Sequence, residues 1–267
     1  MSRRQVADQT DLESRCERLR SLHAPGAPLV LPNAWDVSSA RAVVGAGFPV
    51  VATTSGGVAA ALGYEDHEQA PSDEMFAAAA RIARAVDVPV TVDAEAGYGL
   101  EPADLVATLK SMAAAGCNVE DTDHAKGELR DPAEHADWLH AVREAASDQG
   151  YGVVINARID VFLPTVASGP DAGSQADLVP EALRRANAYM EVGADCVFPI
   201  LLWERDALAA FISEAPGPVN VLRIPPAPSL AALAELRVAR VSYGGLLHRR
   251  AMEEFSRLLG SLGDESA

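Results

Sequence analysis

Short apolar runs rich in β-branched residues recur along the chain, separated by longer Ala-, Leu-, Arg- and Glu-rich segments with helical patterning. The runs are nearly continuous rather than alternating, as expected of strands covered on both faces, and their alternation with helical segments predicts βα units around a parallel sheet. Eight runs are legible, at residues 28–31, 50–54, 88–95, 117–121, 153–160, 194–200, 218–222 and 238–243. Between them, Ser72-Asp73-Glu74 opens one helix, and Pro102 and Pro132 take the first-turn positions of two others. Gly47, Gly116 and Gly193, in the similar endings Ala46-Gly47-Phe48, Ala115-Gly116-Cys117 and Val192-Gly193-Ala194, stand where a helix releases the chain toward the next strand.

Eight βα units in about 250 residues predict a (β/α)8 barrel of the TIM type. The competing doubly wound sheet needs a G-x-G-x-x-G turn, which the chain lacks. Residues 1–27 read as a leading helix, 11–22, with a Pro/Gly linker, and residues 28–267 as the barrel, with no second domain. Residues 164–180, rich in Gly, Ser, Asp and Pro, read as an excursion above the fifth strand.

Charge narrows the partners. With 22 Lys+Arg against 38 Asp+Glu the net charge is −16, which repels polyanions, and no basic patch is evident. A small-molecule ligand is expected, without nucleic acid or membrane. Three well-separated cysteines, Cys16, Cys117 and Cys196, suit neither a disulfide framework nor a thiolate metal cluster and fit a reducing cytoplasm. The N-terminus lacks a secretory pattern. The longest uncharged stretch, 42–64, is interrupted by Gly45, Gly47, Pro49, Gly56, Gly57 and Gly63, and reads as a helix end, a buried strand and a glycine turn.

In a parallel barrel the chemistry gathers at the C-terminal ends of the strands. The third run ends in Val92-Asp93-Ala94-Glu95, where alternation puts Asp93 and Glu95 on one wall about 7 Å apart. Two such carboxylates repel unless a hard divalent cation neutralises them; otherwise one caps a helix and the other is solvated. Glu120 ends the fourth run at the same level, whereas Asp66, in an acidic loop, reads on its own as a solvated group. Ser55-Gly56-Gly57 either converges backbone N–H groups on a carboxylate or phosphonate or makes a plain tight turn. Arg158, in an apolar strand, needs an anion: a substrate gripped bidentately, or Glu120 or Asp160 as a structural bridge. Asn220, in Pro218-Val219-Asn220-Val221, reads as a polar residue at a strand end, placed to bond a ligand or a loop. His124 and Lys126 directly follow the fourth run, as groups that protonate or orient substrate or as exposed loop residues. No G-x-S-x-G, P-loop, H-E-x-x-H or C-x-x-C is present, and Lys110 and Lys126 lie outside the strands, which disfavours a Schiff-base lysine.

Taken in order across residues 30–245, six segments resemble the isocitrate lyase and phosphoenolpyruvate mutase superfamily, on its phosphoenolpyruvate-phosphomutase-like branch. They are Asn33-Ala34-Trp35-Asp36, Ser55-Gly56-Gly57 with Leu62-Gly63-Tyr64-Glu65-Asp66, Asp93-Ala94-Glu95-Ala96-Gly97-Tyr98-Gly99, Val119-Glu120-Asp121, Asn156-Ala157-Arg158-Ile159-Asp160 and Gly193-Ala194-Asp195. The resemblance implies a (β/α)8 barrel and a homotetramer, a dimer of dimers that exchange their last helix. It also implies magnesium, with manganese as the alternative, on the oxygens of a 2-oxo acid or enolpyruvate compound. It makes Asp93 and Glu95 metal carboxylates, with Asp66 and Glu120 completing the set. Ser55, Gly56 and Gly57 become the substrate-carboxylate cradle and Arg158 its cationic partner.

Departures from the superfamily pattern bear on the reaction. Its succinate-forming lyases carry a Lys-Lys/Arg-Cys-Gly-His loop after the fourth strand, but residues 122–127 contain no cysteine. The Lys-x-Asn loop of the mutases is also missing, since Lys126 is followed by Gly127 and Glu128, and Ile200 is apolar where lyases carry Glu and mutases His. Residues 122–130 are expected to close over the substrate with Gly127 as hinge. The expected function is a magnesium-dependent lyase or mutase working through a pyruvate-enolate-like species. Carbon–carbon cleavage, decarboxylation and phosphoryl mutation between phosphoenolpyruvate and phosphonopyruvate all remain open. The alternative is a non-catalytic barrel that binds a 2-oxo acid as sensor or scaffold.

Overall fold

In the computed structural model, which describes residues 3–167 and 174–264, each of the eight apolar runs contains a parallel strand. The strands are β1 (Leu29–Leu31), β2 (Asn33–Ala34), β3 (Val51–Thr53), β4 (Val90–Asp93), β5 (Gly116–Glu120), β6 (Thr122–Asp123), β7 (Glu128–Leu129), β8 (Val154–Ile159), β9 (Cys196–Pro199), β10 (Asn220–Leu222) and β11 (Arg240–Ser242). The helices are α1 (Arg3–Ser21), α2 (Val37–Gly45), α3 (Ser55–Leu62), α4 (Ser72–Arg84), α5 (Pro102–Ser111), α6 (Pro132–Asp148), α7 (Leu163–Ala167), α8 (Val179–Glu191), α9 (Arg205–Glu214), α10 (Leu230–Glu235) and α11 (Leu246–Asp264).

Two ladders, β2-β3-β4-β5-β8-β9 and β1-β11-β10, make up the ring. A parallel bridge from Val197 to Val219 joins β9 to β10, and β1 runs on through Pro32 into β2, whose pairing passes to β3. Proline has no N–H to give a ladder, so the first strand of the barrel is split there. The result is a (β/α)8 barrel. No described helix is long and apolar enough to cross a membrane. All three cysteines are buried and free, and burial pushes each thiol up to about 12.

α1 covers the N-terminal ends of the strands. Leu19 and Cys16 are fully buried, and Arg20 reaches the Asp195 carboxylate at 2.8 Å and the Gly152 carbonyl at 2.9 Å. At Gly116, an added Cβ would lie 2.7 Å from Leu19 Cδ2 and 2.8 Å from the Val154 carbonyl oxygen. That close approach, and not release of a helix, is why glycine stands there. Gly47 and Gly193 do take left-handed backbone (φ 88° and 102°) at their corners, but at the third corner Ala113 makes the turn (φ 59°) and Gly116 is already in β5.

Three further expectations change. The glycine turn after β3 is the first turn of α3. Residues 122–130 form a β-hairpin, β6 against β7, with Gly127 at φ 70° in its tip. The excursion expected at 164–180 is partly ordered as α7 and a short 3-10 turn, Gln175–Leu178, while 168–173 lie outside the described residues.

Candidate functional site

A cavity of about 180 Å³ opens at the C-terminal ends of the strands. Following the ring from β3 to β8, its lining is polar: Thr54, Ser55, Asp66, Asp93, Asn118 and Arg158. From the end of β8 to β10 the lining is apolar, made by Leu163, Phe198, Ile200 and Leu222.

Asp93 ends β4 with its Oδ2 accepting the Ser55 N–H at 2.9 Å and its own N–H donating to Thr53 Oγ1 at 2.8 Å. The carboxylate therefore caps α3 while facing the cavity, and burial raises its pKa. Strand alternation fails beyond this point. Glu95 has φ 46°, so its side chain does not continue the Asp93 wall. Its carboxylate accepts the Glu68 N–H at 2.7 Å and the Tyr98 hydroxyl proton, and burial pushes it up to about 8. Glu95 instead joins Glu120 and His124, with one donor atom from each lying within 4.8 Å of the others. Glu120 is fully buried and raised to about 7 by desolvation, and its Oε1 lies 2.5 Å from His124 Nε2.

Arg158 is held on both sides. Its Nε and Nη2 donate to the Asp160 carboxylate at 2.6 and 3.1 Å, and Nη1 pairs with Glu120 Oε2. Burial alone would weaken the guanidinium as a base, but Asp160 and Glu120 more than offset it. Asp160 is fixed in turn by the Thr122 hydroxyl at 2.5 Å and by its own N–H to Asp121 Oδ1 at 2.9 Å.

Of the expected cradle, Ser55 lines the cavity, but its N–H is taken by Asp93. Gly56 makes room for Asp66, whose Oδ2 would lie 2.7 Å from a Cβ there. Gly57 is packed under Thr54, Trp35 and His248. Asn220 is fully buried, bonded to Ser242 at 3.3 and 3.4 Å, and lies outside the cavity lining. Lys126 stands on the hairpin tip with its side chain 68% exposed, paired to Asp123 at 3.0 Å, and does not reach the cavity. His124 does belong to the site, 5.4 Å ring to ring from His67 on the cavity lining. Sequence reasoning missed Asn33 and Asn118. Asn33 Oδ1 accepts the Tyr243 and Gly244 N–H groups at 2.8 and 2.9 Å and so fixes the loop before α11. Inward alternation two residues before Glu120 could have found Asn118.

The donor set fits a hard divalent cation. Asp66 Oδ1 is buried without a protein hydrogen bond, and Asp93, Glu95 and Glu120 are all held above their ordinary pKa, mainly by burial. Such a cluster is relieved by a cation that takes carboxylate oxygens.

Residues 19–262 match the family model described as phosphoenolpyruvate phosphomutase. An uncharacterized Mycobacterium tuberculosis protein is 37% identical over 84% of this chain and 81% of its own. The 2-methylisocitrate lyase of Salmonella typhimurium is 31% identical over 83% of this chain and 78% of its own. A crystal structure from Burkholderia cenocepacia, provisionally assigned as a phosphonomutase, has 42% identity and a TM-score of 0.85 over 92% of this chain and 99% of that one.

Proposed function

The chain belongs to the phosphoenolpyruvate phosphomutase family, and from that premise we propose that it is a magnesium-dependent carbon–carbon lyase acting on a small 2-oxo acid or a precursor of one. The observation that carries the reading is the division of the cavity into a polar arc with one guanidinium, Arg158, and an apolar arc of Leu163, Phe198, Ile200 and Leu222. A transferring phosphoryl group spreads charge over three oxygens and calls for several positive or N–H donors around it. The apolar arc offers none, and it suits a neutral or alkyl-bearing leaving fragment.

Asp93, Asp66, Glu95 and Glu120 would hold the metal, which when bound supplies Lewis-acid stabilisation of a developing oxyanion. Arg158, its plane set by Asp160 and Glu120, receives the substrate carboxylate as a preorganised charge. From oxaloacetate the C3–C4 bond breaks, carbon dioxide leaves, the electron pair stays on C3 of the pyruvate fragment, and that carbon takes a proton. From a 2-alkylmalate the 2-hydroxyl gives up its proton and becomes the oxo group as the C2–C3 bond breaks; the pair stays on C3 of the carboxylate co-product, and that carbon takes the proton. His124 Nε2, whose bond to Glu120 raises the imidazole pKa, is the group that holds this proton. Manganese is the alternative metal.

The test is product NMR on oxaloacetate, 2-alkylmalates, phosphonopyruvate and phosphoenolpyruvate with magnesium. Pyruvate or another 2-oxo acid released from the first two is expected. Interconversion of the last two would make the protein a mutase, and binding without turnover on the whole panel would make it a scaffold.

We also infer a homo-oligomer. Met252, Phe255, Leu258, Leu259 and Leu262 are exposed along α11, and a hollow of about 380 Å³ beside Trp35, Ala42, Val43 and Leu247 lies near its start. An amphipathic helix left bare in one copy is suited to burial against a second.

A further inference from the structure

Arg240 lies inside the barrel on β11 with no accessible surface, and among the described residues it makes no ion pair. Its Nη2 donates to Asn118 Oδ1 at 2.9 Å, while Nε and Nη1 are buried without protein partners. A buried guanidinium without a counter-ion costs several kcal/mol, on the order of what removing one partner of a buried pair costs, and an apolar side chain of similar volume would be cheaper. Asn118 Oδ1 also accepts Asn156 Nδ2 at 2.8 Å. A carboxamide oxygen held by two donors fixes which end is nitrogen, so the two Nδ2 protons of Asn118 point away from Arg240 and Asn156. Asn118 lines the cavity, and no described protein acceptor takes those protons.

We propose that Asn118 is a substrate-binding donor at the cavity floor, and that Arg240 is the positioning residue that locks its carboxamide and adds a second positive charge, besides Arg158, beneath a mouth that carries Asp66 and Asp93. The ligand oxygen it meets is then anionic, the carboxylate or the enolate oxygen of the 2-oxo acid; this rests on the proposed function. A guanidinium bonded to the carboxamide oxygen polarises the amide, which strengthens its N–H groups as donors to such an oxygen. Asp66 and Asp93 on the same lining would repel the ligand, and a fixed cation below the floor offsets part of that repulsion without occupying space in the cavity.

The experiment compares the wild type with Arg240→Met, Arg240→Lys, Asn118→Ala and the double variant Asn118→Ala/Arg240→Met. Oxalate affinity is read by calorimetry at saturating magnesium, with urea unfolding alongside. Arg240→Met is expected to weaken oxalate at least tenfold while its unfolding midpoint stays level or rises. Arg240→Lys should recover part of the loss, and the double variant should bind no worse than Asn118→Ala. Oxalate affinity in Arg240→Met equal to wild type overturns the proposal, as does strict additivity in the double variant. Should Arg240→Met fail to fold, wild-type affinity in Asn118→Ala overturns it equally. A wild type that binds magnesium but not oxalate overturns the 2-oxo acid reading itself, which no variant result would do.

Discussion

The carboxylate of Asp66 fills the space a side chain on Gly56 would need: its Oδ2 lies 2.7 Å from the ideal Cβ position, and its Oδ1 is buried without a hydrogen-bond partner. Glycine is therefore required at this point of α3 by a neighbouring carboxylate rather than by a bound anion. Gly56→Ala should push Asp66 aside while the helix itself gains up to about 1 kcal/mol from the better helix former. The expected result is an unchanged or higher melting temperature with about tenfold weaker Mn2+ binding by electron paramagnetic resonance. Unaltered Mn2+ affinity would remove Asp66 from the metal set.

Glu95 and Glu120, held at about 8 and about 7 against an ordinary 4.5, govern the neutral-to-alkaline side of the pH dependence of the metal-free protein. Between the ordinary and the raised values the folded chain binds more protons than the unfolded one, so stability falls as pH rises. The contribution is fully present below about 4.5 and is lost as pH climbs through 7 and 8. Burial pushes His23 and His135 down to about 4 and about 3, so they oppose this trend below about pH 6.5. In chelator the urea midpoint should decline from about pH 6.5 to 9, and saturating magnesium should flatten that slope. A flat profile in chelator would mean that these carboxylates are not penalised by burial.

Arg158→Lys keeps the charge but loses the planar fork that meets Asp160 at two points. A fall in kcat/KM on the order of 10²-fold is expected for any carboxylate substrate found in the panel. Lys126→Ala is the control: its ammonium is exposed and paired only with Asp123, so kcat and KM should hold. A kinetic defect in Lys126→Ala would show that the hairpin folds inward during turnover.

If the proposed homo-oligomer forms through α11, replacing Phe255 and Leu259 with Asp should give smaller species in analytical ultracentrifugation, since both are more than half exposed in the single chain. The folded monomer should persist, because neither side chain belongs to the barrel core. An unchanged sedimentation coefficient would remove α11 as a subunit contact.

The strands were legible because each is covered on both faces, which leaves an unbroken apolar run such as Val153-Val154-Ile155. Asp93, Glu120 and Arg158 were legible for the same reason, as charges at the ends of those runs. Glu95 was misplaced because its backbone leaves the strand under the hold of Glu68 and Tyr98, and Glu68 is 27 residues away in sequence. Lys126 looked equivalent to His124 until the hairpin turned one side chain inward and the other to solvent. Arg240 was invisible: only the barrel's closure puts it against Asn118, 122 residues distant.

The helix across the foot of the barrel makes the interior a vessel with one opening. Leu19 and Cys16 stop the lower end, and Arg15 reaches the carbonyls of Val86 and Val88 at 3.5 Å. A cleavage that makes two fragments must send both out past the same rim. In the proposed cleavage the fragment held at the floor by Asn118 and Arg158 would leave second, so steady-state kinetics should follow a sequential release, with the 2-oxo acid product competing directly with substrate and its co-product inhibiting noncompetitively.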